Sequence, residues 1–224
     1  MMTEYLEKIS YYLPELSKAL SESGVMLVIS IAAAIIVGLP LGTSVYLVKQ
    51  QPTSSNRVLG IFLNGYINIV RSFPFLLFVV ALIPVTRFVL GTAFGTYAAA
   101  FPLSFVAVAI YARLVEQVLL DVSTDILELA QALGSTRSQL IFRFLYVEAR
   151  SGLVLALTSV VISMVSYSTV MGVIGGGGIG DFALRYGYQR YEYAVMYTAI
   201  VIMIVFVSLI QISGSWVAKR INKK

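Results

Sequence analysis

Apolar residues in this chain neither alternate with polar ones nor keep to one helical face. They run on in long blocks. Residues 25–48 carry no charge, and 58–86 carry one, Arg71. A third block lies within 88–112, starting near Tyr97, and a fourth within 151–180, ending before a run of glycines. Residues 193–218 form the fifth. About 20 apolar residues rising ~1.5 Å each cross ~30 Å of hydrocarbon, so each block predicts a spanning helix. The pattern predicts an all-α polytopic membrane protein with five transmembrane helices.

Composition agrees. Of 224 residues, 58% are hydrophobic and 12% charged, against roughly 25% charged in soluble domains. A soluble domain of this size has too little interior to hide that much apolar surface. Cys and His are absent, which excludes disulfides, thiol chemistry, most transition-metal sites and the commonest general base. No metal or cofactor is expected. The net charge of +5 comes without a basic stripe interleaved with aromatics, so no nucleic-acid partner is expected.

Charge sets the orientation instead. Lys219, Arg220, Lys223 and Lys224 mark the C-terminus as cytoplasmic, and five crossings put the N-terminus outside. Lys49, Arg57, Arg137 and Arg143 then fall inside, and Arg87, Arg185 and Arg190 outside. Tyr186, Tyr188, Tyr191 and Tyr193 mark the outer interface and Trp216 the inner one. In residues 1–24 the acids Glu4, Glu7, Glu15 and Glu22 outnumber Lys8 and Lys18, and no apolar core like that of a signal peptide precedes residue 25. This segment reads as a short external, interfacial helix with Ile9, Tyr12, Leu13 and Leu16 facing lipid. Residues 25–218 read as one transmembrane domain and 219–224 as a basic cytoplasmic tail.

The polar stretch 121–146 is the most informative. Asp125 and Glu128 have the spacing of an N-cap and its N3 partner, so a short helix is expected over 125–133, with Ile126, Leu129, Ala130 and Leu133 on one face. Gly134 stands where a left-handed C-cap is needed. Thr136 and Gln139 have capping-box spacing and open a second helix towards the membrane. The product is a helix–Gly–helix elbow, either a solvated turn or a projecting helix that docks into a partner's groove.

These residues carry a resemblance. Residues 128–134 (Glu-Leu-Ala-Gln-Ala-Leu-Gly), followed by Arg143, Glu148, Ala149 and Gly152, are similar to the cytoplasmic loop of ATP-binding-cassette importer permeases. Leu129 replaces the usual central Ala, and Val147 and Ser151 stand where prolines are usual. Arg71 to Phe75, Ile83 to Arg87, Gly91-Thr92, Ala112 to Glu116, Tyr167-Ser168, Gly175 to Gly180 and Arg185 to Tyr188 resemble the methionine-importer branch. The resemblance implies a type I importer permease in a bacterial inner membrane, working as a homodimer of five-helix subunits. It also implies two cytoplasmic ATPases and an external substrate-binding (lipo)protein as partners. By it, Glu128, Ala130, Gly134 and Thr136 belong to the ATPase-coupling helix and its caps.

Other residues leave two readings open. An Arg at mid-membrane costs about 2.5–3.5 kcal/mol on insertion scales, so Arg71 is either a structural anchor beside Pro74 or a charge at the inner mouth of a pathway. Glu116 and Asp121 are its expected partners. Arg113 and Glu116 have the spacing of a helical ion pair. Ser166, Tyr167 and Ser168, flanked by Met164 and Met171, line a pathway or glue helices together. The run Gly175, Gly176, Gly177, Gly178, Ile179, Gly180 lacks the strand and helix of a nucleotide fingerprint. It is an external loop, or a close-packed segment at the outer end of a pathway.

The leading expectation is a permease that moves a small amino acid, methionine by resemblance, powered by a separate ATPase, because the chain has no nucleotide motif. Another amino acid or a small peptide is the alternative solute. A self-powered carrier would want intramembrane carboxylates in broken helices, and a membrane enzyme would want His, Cys or paired acids. The expected spans supply neither.

Overall fold

The computed structural model describes residues 2–50 and 54–222. Lys223 and Lys224 of the expected tail lie outside the described residues, as do the side chains of Glu4, Glu7, Lys8 and Arg57. Every regular element among the described residues is helical. In chain order they are α1 (Met2–Ala33), α2 (Leu39–Gln50), α3 (Ser54–Ser72), α4 (Phe75–Leu90), α5 (Thr96–Leu120), α6 (Thr124–Ala132), α7 (Arg137–Gln139), α8 (Tyr146–Met171), α9 (Gly178–Phe182) and α10 (Tyr193–Ile221). Four stretches are long and apolar enough to cross a membrane: Ile9–Gln50, Thr96–Leu120, Arg137–Gly176 and Tyr193–Ile221. The pair α3 and α4 makes the fifth, bent by 115° between Ser72 and Phe75.

The first crossing differs from its expected form. α1 and α2 run on through a π turn at Ala34–Gly38, and the helix does not break at residue 25. The resulting rod of 42 residues is ~60 Å long, about twice the hydrocarbon thickness. Leu16, expected to face lipid, is buried with Ala19 against Ile179 and Phe182, while Leu13 stays exposed. The apolar face of this segment has a partner inside the chain, which its local pattern cannot reveal.

The second crossing is broken where one continuous span was expected. Pro74 has no N–H to continue a helix and pushes Phe73 out of the helical region. Its ψ of 127° ends α3 and lets α4 restart at Phe75. Arg71 therefore sits exposed in the last turn of α3. Glu116, expected beside it, is held by Lys49 and Arg113 instead.

α5 is the buried axis of the bundle. Ala98, Ala99, Ala100, Ala107, Ala109 and Ala112 are all inaccessible, and small side chains let neighbouring helices approach closely. Gly38 and Gly42, one turn apart, press the first rod onto it. A Cβ on Gly42 would come within 2.3 Å of the Ala112 carbonyl oxygen. Without a proline at 147 or 151, α7 and α8 join through a π turn at Leu140–Leu145 into a rod of 40 residues, Arg137–Gly176. α10 lies along α8 through Gly214, which faces Thr158.

One end of the bundle gathers the elbow and the end of α10, since Asp121, Val122, Glu148 and Asn222 line one cavity there. The expectation that the 121–146 loop and the C-terminal end share a side is met. That this side is cytoplasmic rests on the Lys/Arg distribution. In this Cys-free chain, single cysteines at 129 and 219 are expected to react with an impermeant maleimide only from the cytoplasm, and one at 190 only from outside. The opposite pattern would reverse the orientation.

Candidate functional site

The elbow is built from its caps. Ser123, not Asp125, is the N-cap: its Oγ accepts the Asp125 N–H at 3.3 Å, and α6 starts at Thr124. The C-terminal end is closed by two bonds, Gly134 N–H to the Gln131 carbonyl at 2.9 Å and Ser135 N–H to the Ala130 carbonyl at 3.0 Å. That pair is a Schellman motif, and it needs a left-handed residue at Gly134, whose φ is +64°. Thr136 and Gln139 form the expected reciprocal capping box. The second arm is the start of the long α8 rod.

α6 has two faces. Ile126 and Leu127 pack inward on the main core beside Val122, which precedes the helix, and Ala130 is buried on the same side. Asp125, Glu128, Leu129, Ala132 and Leu133, at i, i+3, i+4, i+7 and i+8, are exposed, Leu129 by 54% and Leu133 by 67%. The expected single apolar face is thus split: Ile126 and Ala130 seat the helix, while Leu129 and Leu133 face outward beside Glu128. Burying an isolated α6 this shallowly leaves an acidic and apolar stripe, the chemistry of a docking surface.

At the opposite end the glycine run is a packed reversal. Gly175, Gly177 and Gly178 have φ of +92°, +76° and +84°, turns that L side chains resist. They fold α9 back on the end of α8. Gly178 N–H donates to Glu22 Oε2 at 2.8 Å and Ile179 N–H to Ser23 Oγ at 2.9 Å, so α1 grips the reversal. Gly95 N–H also donates to the Gly175 carbonyl at 2.9 Å. A cavity of about 490 Å³ opens between α1 and this turn, lined by Glu15, Lys18, Glu22, Asp181 and Arg185. Gly180 is the close approach: a Cβ there would lie 2.1 Å from the Thr169 carbonyl oxygen.

The hydroxyl stripe of α8 is divided. Met164, Ser168 and Met171 point into the protein and are buried. Ser166 is exposed, and Tyr167 stacks on Phe75 of α4 with centroids 4.4 Å apart. The Ser166 and Ser168 hydroxyls donate to the Ile162 and Val165 carbonyls of their own helix. The structure does not bring these five residues onto one accessible surface.

Residues 31–224 match the family described as the binding-protein-dependent transport system inner membrane component. The chain belongs to this family. It is an inner-membrane, multi-pass transport subunit, and the elbow, the reversal and the α8 stripe all lie in the matched region. It is 39% identical over 199 residues to the probable D-methionine transport system permease protein MetI of Vibrio cholerae, covering 89% of this chain and 88% of the relative. It is 32% identical over 179 residues to the methionine import system permease protein MetP of Bacillus subtilis, covering 80% and 81%. A solved structure described as inward facing conformations of the MetNI methionine ABC transporter superposes with a TM-score of 0.89 at 34% identity, over 95% of this chain and 98% of that one. An amino acid ABC transporter crystallised with histidines shares the fold, with a TM-score of 0.72 at 19% identity.

Sequence reasoning missed Lys49 as the interhelical partner of Glu116 and missed Ser123 as the cap. A Gly-x-x-x-Gly spacing at 38 and 42 was a readable packing signal. Glu22 and Ser23 had no local signal, because what they hold lies 156 residues away.

Proposed function

We propose that this chain is the membrane-spanning permease of an ATP-binding-cassette importer for methionine. It works as one of two copies, with separate cytoplasmic ATPase subunits that hydrolyse the ATP and an external binding protein that delivers the solute. The observation that carries this reading is the elbow: a capped helix with an outward stripe of Glu128, Leu129 and Leu133, joined by the Gly134 turn to a 40-residue rod. Methionine as the solute is supported by the names of the relatives at 39% and 32% identity.

Closure of the ATPases around ATP displaces α6, and the fixed turn at Gly134 passes that displacement to the α8 rod as to a lever. Two copies swing their rods between inward and outward openings. Exposed apolar residues of α4, among them Leu76, Leu77, Val80 and Phe88, supply surface for lipid and for the second copy. The solute pathway runs between the copies, past Ser166 and Tyr167, while Met164, Ser168 and Met171 hold the rod's position from behind. The reversal at Gly175 to Gly180 closes the outer end. Arg71 serves as an anchor at the bend.

Glu128→Lys tests the docking surface. It reverses the charge on an exposed position with no packing role, so the protein is expected to insert at normal abundance while copurification of the ATPase falls severalfold. Unchanged copurification and transport would remove this stripe from the interface.

A further inference from the structure

At the elbow end, three helices are joined by a charge cluster that the proposed cycle has not used. Glu116 of α5 is 1% exposed and faces two cations. Arg113, on the same helix, meets its Oε2 at 2.6 Å and donates through Nη2 to Asn68 Oδ1 of α3, also at 2.6 Å. Lys49 Nζ of α2 meets the other oxygen at 2.5 Å, with 47% of its side chain exposed. A buried carboxylate needs a counter-charge, and Arg113 already supplies one. That pairing is at Oε2; among the described residues the buried Oε1 has no polar partner but Lys49. What it adds is a tie between α2 and α5.

We infer that Lys49 is a positioning residue that couples the elbow to the outer reversal through the α1–α2 rod. The inference rests on the importer reading. α5 ends at Leu120, one turn beyond Glu116, and enters α6 through the Ser123 cap. Movement of α6 therefore reaches Glu116 directly, and Lys49 carries it into the rod. Gly38 and Gly42 keep the rod pressed on α5 at Val108 and Ala112. Towards its other end, ~40 Å away along the helix, Glu22 and Ser23 hold the Gly178 and Ile179 amides. The rod thus has a grip at each end of the bundle, one on the elbow helix's support and one on the turn that closes the outer side.

The test is the number of methionines moved per ATP hydrolysed, in proteoliposomes holding the assembled transporter and its binding protein. Lys49→Met keeps the Arg113 ion pair at Glu116 Oε2 but leaves Oε1 unpartnered, so inserted protein and thermal midpoint are measured alongside. Insertion, assembly and ATP hydrolysis are expected to persist while the ratio falls about tenfold. Lys49→Arg restores the cation and most of the ratio. Ser23→Ala, which removes the acceptor for Ile179, lowers the ratio too, and the double variant is no worse than the poorer single one because both lie on one linkage. A wild-type ratio in Lys49→Met overturns the inference. So does a proportional loss of transport and hydrolysis, or a double variant whose defects multiply. Failure of the importer reading is distinguishable, since the wild-type chain would then show no ATP-driven uptake.

Discussion

Gly134→Val is expected to cut transport at least tenfold while the protein stays inserted and abundant. The residue stands at φ +64° between the Schellman bonds that end α6. An L side chain in that region costs roughly 1–2 kcal/mol, and a β-branched one is a sharper outlier. Nothing lies within 4 Å of a Cβ built there, so the penalty is backbone strain and not a clash. The chain relieves it by opening the turn, and α6 then no longer moves with the α8 rod. Gly134→Asn is the matched control, because Asn tolerates the left-handed region, and it is expected to keep most of the activity. Uptake normalised to inserted protein separates the two variants. Full uptake with Val would show that the turn transmits nothing.

Gly180→Val is expected to remove the folded protein altogether. At this position the neighbour is backbone: the Thr169 carbonyl oxygen would lie 2.1 Å from the new Cβ. On the opposite side of the same contact, a Cβ on Gly172 would meet the Asp181 nitrogen at 2.4 Å. Overpacking typically costs about 1–3 kcal/mol when side chains can yield, and here neither strand of the contact has a rotamer to change. The loss should appear as aggregation on detergent size-exclusion chromatography and as collapse of the thermal midpoint. Gly65→Ala, in a helical position with nothing within 4 Å, should be neutral in the same assay. A monodisperse, thermostable Gly180→Val protein would mean that α9 does not fold back on α8.

The crossings were legible because lipid imposes a length and an apolarity that any single helix must satisfy alone. The elbow was legible for a related reason: Gly134, Thr136 and Gln139 act within a few residues of one another, so spacing is geometry. What lay hidden depends on partners distant in sequence. Leu16 looked lipid-facing because its cover, Ile179 and Phe182, is far along the chain. Lys49 looked like a topology signal, and only the packing of α2 on α5 brings it to Glu116. The α8 stripe misled differently. Met164, Ser168 and Met171 share one helical face and Ser166 another, and a list of polar residues does not say which face the core takes. Pro74 was visible, but the 115° bend it permits is set by where α4 packs afterwards.

The central claim is that this chain moves its solute only when driven through the elbow by a partner ATPase. Reconstituted uptake of labelled methionine measures that directly, with the chain alone, with the ATPase, and with the ATPase and binding protein together. The account predicts uptake only in the complete system, dependent on ATP hydrolysis and lost on Glu128→Lys. Uptake by the chain alone down a solute or ion gradient, indifferent to ATP and to Glu128→Lys, would contradict it.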